Sequence, residues 1–205
     1  MAARLTGILV FAREPVAGRA KTRLIPALGT DGAARLARVM LGHALVEAAA
    51  ANIGRVELVC DPHPDEWQTP VKGVATSAQI GVDLGERMGT AVERVLAQNE
   101  RVIITGTDCP GLDAARIAEA ARALDNHDVA IIPATDGGYV LIGFSRFDRA
   151  IFTKVQWGGD GVLSATLANI ASLGWTVWKG EPLPDIDDPE DLIHAPDTWL
   201  VDGDR

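Results

Sequence analysis

Short apolar runs alternate with amphipathic stretches along this chain, and that alternation restricts the fold more than any other feature of the sequence. The runs predict strands at residues 7–12, 56–60, 71–75, 101–105, 129–133, 139–144 and 175–178. Runs of this length without polar alternation are typical of strands buried on both faces. The stretches between them predict helices at residues 31–51, 83–96, 113–124 and 161–173, with a short closing helix at 188–192. Strands that alternate with helices predict an α/β fold with a mostly parallel sheet and helices on both faces.

Composition narrows the class of protein. No repeat, low-complexity run or linker divides the 205 residues, so we expect one domain over 1–205. The net charge of −9 argues against nucleic acid or an anionic membrane as a partner, because both favour a basic face. No apolar run approaches the roughly 20 residues of a membrane span. Two cysteines are too few for a disulfide framework. We therefore expect a cytoplasmic protein.

A basic loop follows the first predicted strand and reverses the charge of this acidic chain. Arg13, Arg19, Lys21 and Arg23 lie within eleven positions, and Gly18 allows the backbone to approach a ligand closely. Lysine and arginine both suit phosphate oxygens, and parallel sheets bind ligands at the carboxyl ends of their strands. The loop therefore predicts a phosphate site, with a solvated surface loop as the alternative.

An acidic turn follows the strand predicted at 101–105. Asp108 stands at the same predicted edge of the sheet, where a carboxylate could hold Mg²⁺ or Mn²⁺ against two phosphate oxygens. A second oxygen ligand is expected from the acidic segment 183–188, with Asp187 as the first choice and Asp185 as the second. Alternatively, Asp108 caps its own turn and the acids of 183–188 cap the last helix. Both interpretations stay open from the sequence.

The turn Asp136-Gly137-Gly138 joins two predicted strands. Its glycines tolerate a positive φ, which suits a plain turn, while its position after a strand suits contact with a substrate. We consider Asp136, Gly137 and Gly138 as candidate substrate-binding residues.

Five segments together resemble a known family. They are FAREPVAGRAKTRL at 11–24, DLGERM at 83–88, GTDCPGL at 106–112, DGGY at 136–139 and DIDDPEDL at 185–192. In this order they resemble the DUF2064 family from about residue 5 to residue 193. Its members are labelled arsenosugar-biosynthesis-type glycosyltransferases within the GT-A superfamily of nucleotide-diphospho-sugar transferases.

The resemblance implies a GT-A fold, a nucleotide bound under the loop 12–23 from Ala12 onward, and a divalent metal on Asp108. It also implies that Gly85 and Arg87 lie beside the nucleoside. Two departures concern the site. Arg13 stands where the family more often has lysine, and the stretch 156–161 differs from the family's Trp-Ser-Thr run on the acceptor side.

Three functions fit these features. The first is a metal-dependent glycosyltransferase that takes a nucleotide-diphospho-sugar and a small acceptor, with Asp108, Lys21 and Arg23 as catalytic residues. The second is a nucleotidyltransferase that uses the same basic loop to hold a triphosphate and releases pyrophosphate. The third is a nucleotide-binding module without catalysis, which the combination of carboxylates and cations disfavours. The sequence does not define the sugar, the base, the acceptor or the oligomeric state.

Overall fold

One sheet of seven strands organises the computed structural model, which describes residues 6–200. The strands are β1 (Thr6–Arg13), β2 (Gly54–Asp61), β3 (Ala75–Ala78), β4 (Arg101–Thr105), β5 (Val129–Pro133), β6 (Tyr139–Phe144) and β7 (Val177–Lys179). Their order in the sheet is β3-β2-β1-β4-β6-β5-β7. Only β6 runs antiparallel to its neighbours β4 and β5, and every other pairing in this sheet is parallel. The predicted α/β class with a mostly parallel sheet is confirmed.

Helices cover both faces of this sheet. They are α1 (Ile25–Ala50), α2 (Leu84–Leu96), α3 (Ala114–Ala123), α4 (Val162–Ser172) and α5 (Asp197–Leu200). Alternate residues of β1 face opposite ways: Ile8 and Val10 pack in the core with α1 and α3, whereas Leu9 and Phe11 pack with α2 and α4. Because both faces of the strand are buried, its sequence is continuously apolar.

Several predicted bounds were wrong at the edges of elements. The third strand is Ala75–Ala78 rather than 71–75, and it pairs only at the sheet edge with β2. Helix α1 joins two helical stretches across a kink at Gly29 (φ 70°); the part after the kink agrees with the helix predicted at 31–51, whereas the short part that begins at Ile25 was not predicted. The last strand begins at Val177, because Thr176 directs its hydroxyl and its amide to the Asp128 carboxylate.

The sheet order creates a crevice between β1 and β4. These strands are parallel neighbours, while β2 and β3 continue the sheet on one side and β6, β5 and β7 continue it on the other. Ligands of open α/β sheets bind outside the carboxyl ends of strands at such a switch of direction. The loops that follow β1 and β4 both open here.

No helix in residues 6–200 combines the length and the apolar character that crossing a membrane requires. The cytoplasmic location expected from the sequence stays a prediction.

Candidate active site

Lys21 joins the basic loop to both acidic segments. Its Nζ lies 3.0 Å from Asp108 Oδ1 and 2.6 Å from Asp187 Oδ1, and it donates a hydrogen bond of 2.6 Å to the carbonyl of Ile186. The Lys21 side chain is only 12% exposed. Three segments that are far apart in the sequence therefore meet on one ammonium group in the crevice between β1 and β4.

The backbone of Lys21 has an uncommon conformation. It lies in the left-handed region at φ 45° and ψ 49°, which costs a non-glycine residue on the order of 1–3 kcal/mol. The conformation begins the 3₁₀ helix Thr22–Leu24, whose Leu24 is fully buried. Burial lowers the pKa of Lys21, but the Asp108 and Asp187 carboxylates together raise it by more than burial lowers it. Its pKa therefore lies above the ordinary value. Lys21 is therefore an ammonium ion at neutral pH.

The acidic segment docks onto the sheet edge through its backbone. The Ile186 amide donates to the Asp108 carbonyl at 2.8 Å, and the Leu183 amide donates to the Pro133 carbonyl at 3.0 Å. The Ile186 side chain is fully buried in a cluster with Leu24 and the first half of α1. These contacts fix Asp187 opposite Asp108.

Asp188 and Asp191 cap the 3₁₀ helix Pro189–His194, which follows this segment. They form a capping box with Asp188 at the N-cap, and the Asp191 carboxylate accepts hydrogen bonds from the amides of Asp187 and Asp188 at 3.0 and 2.8 Å. The carboxylate of Asp187 instead contacts Lys21. Capping, the alternative raised from the sequence, thus describes Asp188 but not Asp187.

Asp185 and Asp136 add two carboxylates to this charged region. Burial, followed by the negative charges of Asp136, Asp187 and Asp108, raises the pKa of Asp185 to about 6. Three neighbouring carboxylates are thus close enough to favour protonation of Asp185.

The turn that carries Asp136 is held against the start of α4. The Asp136 carboxylate accepts from the Gly138 amide at 2.8 Å, and the Gly137 carbonyl accepts from the Leu163 amide at 2.9 Å. Gly137 has φ 95°, and a Cβ there would lie 2.1 Å from the Asp160 carbonyl oxygen. The glycine therefore permits a close approach of two backbones, which holds this turn against the residues that precede α4.

A second charged group lies at the carboxyl ends of β1 and β2. Asp61 Oδ2 is 3.0 Å from Arg87 Nη1 and 3.5 Å from Arg13 Nε. The side-chain amide of Gln79 donates a hydrogen bond through Nε2 to the Ala12 carbonyl at 3.3 Å. Ala12, Arg13 and Arg87, which the resemblance associates with the nucleotide, therefore lie together. Sequence reasoning missed Asp61 and Gln79, although Asp61 ends a buried strand as a polar residue.

The other predicted residues have different surroundings. Gly85 is buried, and a Cβ there would lie 2.9 Å from Cζ2 of Trp157, so this glycine allows α2 to pack against that ring. Gly18 (φ 76°) and Arg19 are exposed in the basic loop. Arg23 is also exposed and lies 3.4 Å from Asp188 Oδ2.

The carboxylates fit a metal that binds together with a substrate. Within residues 6–200, no three His, Cys, Asp or Glu side chains are grouped to hold a metal ion by themselves. Asp108 and Asp187 nevertheless contact one cation, the Lys21 ammonium. Mg²⁺ is usually bound by one or two carboxylates together with substrate phosphates and water. The donor set matches that pattern rather than an all-protein cage.

Solved structures with this fold include transferases and synthetases. A candidate nucleotide-diphospho-sugar transferase from Desulfovibrio desulfuricans G20 has a TM-score of 0.86 at 30% identity, over 94% of this chain and 87% of that one. CMP:2-keto-3-deoxy-manno-octonic acid synthetase complexed with CTP has a TM-score of 0.60 at 12% identity, over 92% and 95%. Rv0371c from Mycobacterium tuberculosis H37Rv, in complex with manganese, has a TM-score of 0.54 at 17% identity, over 93% and 96%. The last two likenesses concern the fold alone.

The fold and the relative with 30% identity define a transferase that uses a nucleotide. Residues 44–159 match the family DUF2064, described as an uncharacterized protein conserved in bacteria, and the chain belongs to that family. The predicted family and the predicted transferase class are confirmed. A search of curated proteins gave no significant match.

Proposed function

We propose that this protein is a metal-dependent glycosyltransferase that uses a nucleotide-diphospho-sugar as donor. The observation that carries the proposal is the position of Lys21 between Asp108 and Asp187, at the edge where parallel sheets bind ligands. Support also comes from the relative with 30% identity, which is described as a candidate nucleotide-diphospho-sugar transferase.

The cations of the basic loop would bind the diphosphate. Lys21 would supply a point charge, and the exposed Arg19 and Arg23 would supply forked donors to its oxygens. The group formed by Arg13, Asp61 and Arg87 would bind the nucleoside, because it lies at the neighbouring strand ends and carries both donors and acceptors.

Asp108 and Asp187 would hold Mg²⁺ or Mn²⁺, whose chemistry when bound is to neutralise charge on the departing diphosphate. In the transfer, the bond between the anomeric carbon and the β-phosphate oxygen breaks, and the nucleoside diphosphate leaves with the electron pair. The acceptor atom bonds to that carbon and releases its proton to water. Lys21 and Arg23 would stabilise the negative charge of the leaving group.

The acceptor side is proposed at Asp136, Gly137 and Gly138. Asp136 is near enough to Asp185, in the acidic segment, for its charge to raise the pKa of that residue. A small acceptor with hydroxyl or amine donors would suit these carboxylates.

Nucleotidyl transfer is the second candidate. The density of cations between Arg13 and Arg23 suits a triphosphate, and the fold is shared with a synthetase that binds CTP. This enzyme would break the α–β phosphoanhydride of a nucleoside triphosphate and release pyrophosphate.

Product analysis separates the two reactions. We expect long incubation with Mn²⁺ and a suitable nucleotide sugar to release free nucleoside diphosphate, because glycosyltransferases transfer slowly to water. Asp108→Asn and Asp187→Asn should abolish the release without unfolding the protein. Asp31→Asn, which changes an exposed aspartate on α1, should not. Pyrophosphate formed from a triphosphate, with nucleotide sugars left intact, would favour nucleotidyl transfer instead.

A further inference from the structure

The ammonium of Lys21 has no donor left for a ligand. An ammonium carries three N–H donors. Three acceptors lie within 3.0 Å of Nζ: Asp187 Oδ1 at 2.6 Å, the Ile186 carbonyl at 2.6 Å and Asp108 Oδ1 at 3.0 Å. With its side chain 12% exposed, Lys21 can contact a phosphate only by giving up at least one of these partners.

A divalent cation held by Asp108 and Asp187 would bind the two carboxylates that the ammonium already contacts. The ammonium already contacts the Oδ1 atom of each residue. A divalent cation on those oxygens would lie within a few ångströms of the ammonium, where like charges repel strongly. The ammonium and the metal therefore compete for one position.

Removing Lys21 without replacing its charge would leave an acidic group without a counter-ion. The Asp108 and Asp187 carboxylates both contact this one ammonium, at 3.0 and 2.6 Å. The carboxylates need a cation in the free protein, and Lys21 supplies it.

We propose that Lys21 makes metal binding conditional on nucleotide binding. In the free protein its ammonium excludes divalent cations from Asp108 and Asp187. When a nucleoside diphosphate binds, the ammonium moves to the phosphate oxygens and the carboxylates become available to the metal. The inference rests on the proposed metal site and assigns Lys21 as a positioning residue for it. Metal and nucleotide must then bind cooperatively, since each favours the same arrangement.

Manganese binding to the full chain without nucleotide tests the proposal directly. Electron paramagnetic resonance of free Mn²⁺ would be measured for the wild type and for Lys21→Met, which keeps an unbranched side chain but removes the ammonium group. We expect Lys21→Met to bind Mn²⁺ about 5–150-fold more tightly than the wild type, the usual range of coupling between sites. Equal affinities would overturn the proposal.

Two controls separate competition from a general charge effect. Arg23→Met removes the same charge from the same loop, and Arg23 contacts Asp188 rather than the carboxylates bridged by Lys21. Arg23→Met should change the affinity for Mn²⁺ by no more than about twofold, because the pair of Arg23 and Asp188 is exposed and screened by solvent. The double variant Lys21→Met with Asp108→Asn should lose the gain in Mn²⁺ affinity that is expected of Lys21→Met alone. An equal gain in Arg23→Met would contradict specific competition.

The outcome also distinguishes this inference from the proposed function. If guanosine or uridine diphosphate promotes Mn²⁺ binding to the wild type, Asp108→Asn abolishes it, and Lys21→Met shows no gain, the metal site stands and the role of Lys21 is refuted. If none of these proteins binds Mn²⁺ with or without diphosphate, both are refuted. Lys21→Gln, whose amide can still donate to Ile186, serves the same comparison should Lys21→Met fail to fold.

Discussion

Replacement of Asp185 by asparagine should stabilise the protein at alkaline pH and have little effect in acid. Burial and the neighbouring carboxylates raise the pKa of Asp185 from 3.8 to about 6 in the folded protein. The folded state therefore holds this proton more tightly than the unfolded state does. The favourable contribution of Asp185 is complete below pH 3.8 and is lost as the pH rises through 6.

The size of the effect follows from the two pKa values. Each tenfold change in proton affinity is worth about 1.36 kcal/mol, so a rise from 3.8 to about 6 corresponds to about 3 kcal/mol at pH 8. Asp185 is only partly buried, and solvent screening reduces the expected value to about 1–2 kcal/mol. At pH 4 the same calculation leaves about 0.5 kcal/mol or less.

Urea unfolding at pH 4 and pH 8, with EDTA present, measures the difference. Asp185→Asn should exceed the wild type in free energy of unfolding by about 1–2 kcal/mol at pH 8 and nearly equal it at pH 4. Asp65→Asn, a change at an exposed aspartate, should alter neither value. A gain that is the same at both pH values would refute the reasoning, because it would not depend on the charge of Asp185.

Two further predictions concern the glycine turn and the basic loop. Gly137→Ala should lower the free energy of unfolding by about 3–5 kcal/mol, because its Cβ would meet the Asp160 carbonyl at a positive φ. Gly158→Ala, at φ 83° with open space around it, should lose only about 1 kcal/mol; equal losses in thermal melts would contradict the role of the close approach. The double change Lys21→Ala and Arg23→Ala should weaken a nucleoside diphosphate far more than the bare nucleoside, at roughly 1.5–3 kcal/mol for each charge-assisted contact. Equal losses for both ligands in calorimetry would exclude the loop as the phosphate site.

Much of the fold could be predicted because the central strands are buried on both faces. The predicted bounds of β4, β5 and β6 agree with the structure, since each strand is an apolar run ended by glycine, proline or polar residues. Prediction failed for β3, whose Ala-Thr-Ser-Ala sequence is half exposed at the sheet edge. The existence of that strand depends on its pairing with β2 rather than on an apolar pattern.

The site was predictable in its chemistry but not in its pairings. Asp108 and Lys21 could be singled out because each follows a strand, and strand ends collect ligands. The contact of Lys21 with Asp187 could not be predicted, because it depends on the docking of Ile186 into a cluster with α1. Asp61 was missed for a similar reason: its partners Arg13 and Arg87 come from a neighbouring strand and from α2.

Because the acidic segment docks onto the sheet through Ile186, the site should open more easily than the sheet does. Lys21 is separated from its partners in that segment by 165 and 166 positions of sequence. The pairing of β1 with β2 and β4 does not involve the segment. Local opening of segment 183–195 would separate Asp187 from Lys21 while leaving the sheet intact, and such partial openings require less free energy than global unfolding. Heat should therefore inactivate this enzyme before it denatures it, and a protease that cuts the segment should abolish the proposed metal binding in a chain that still melts as a folded protein.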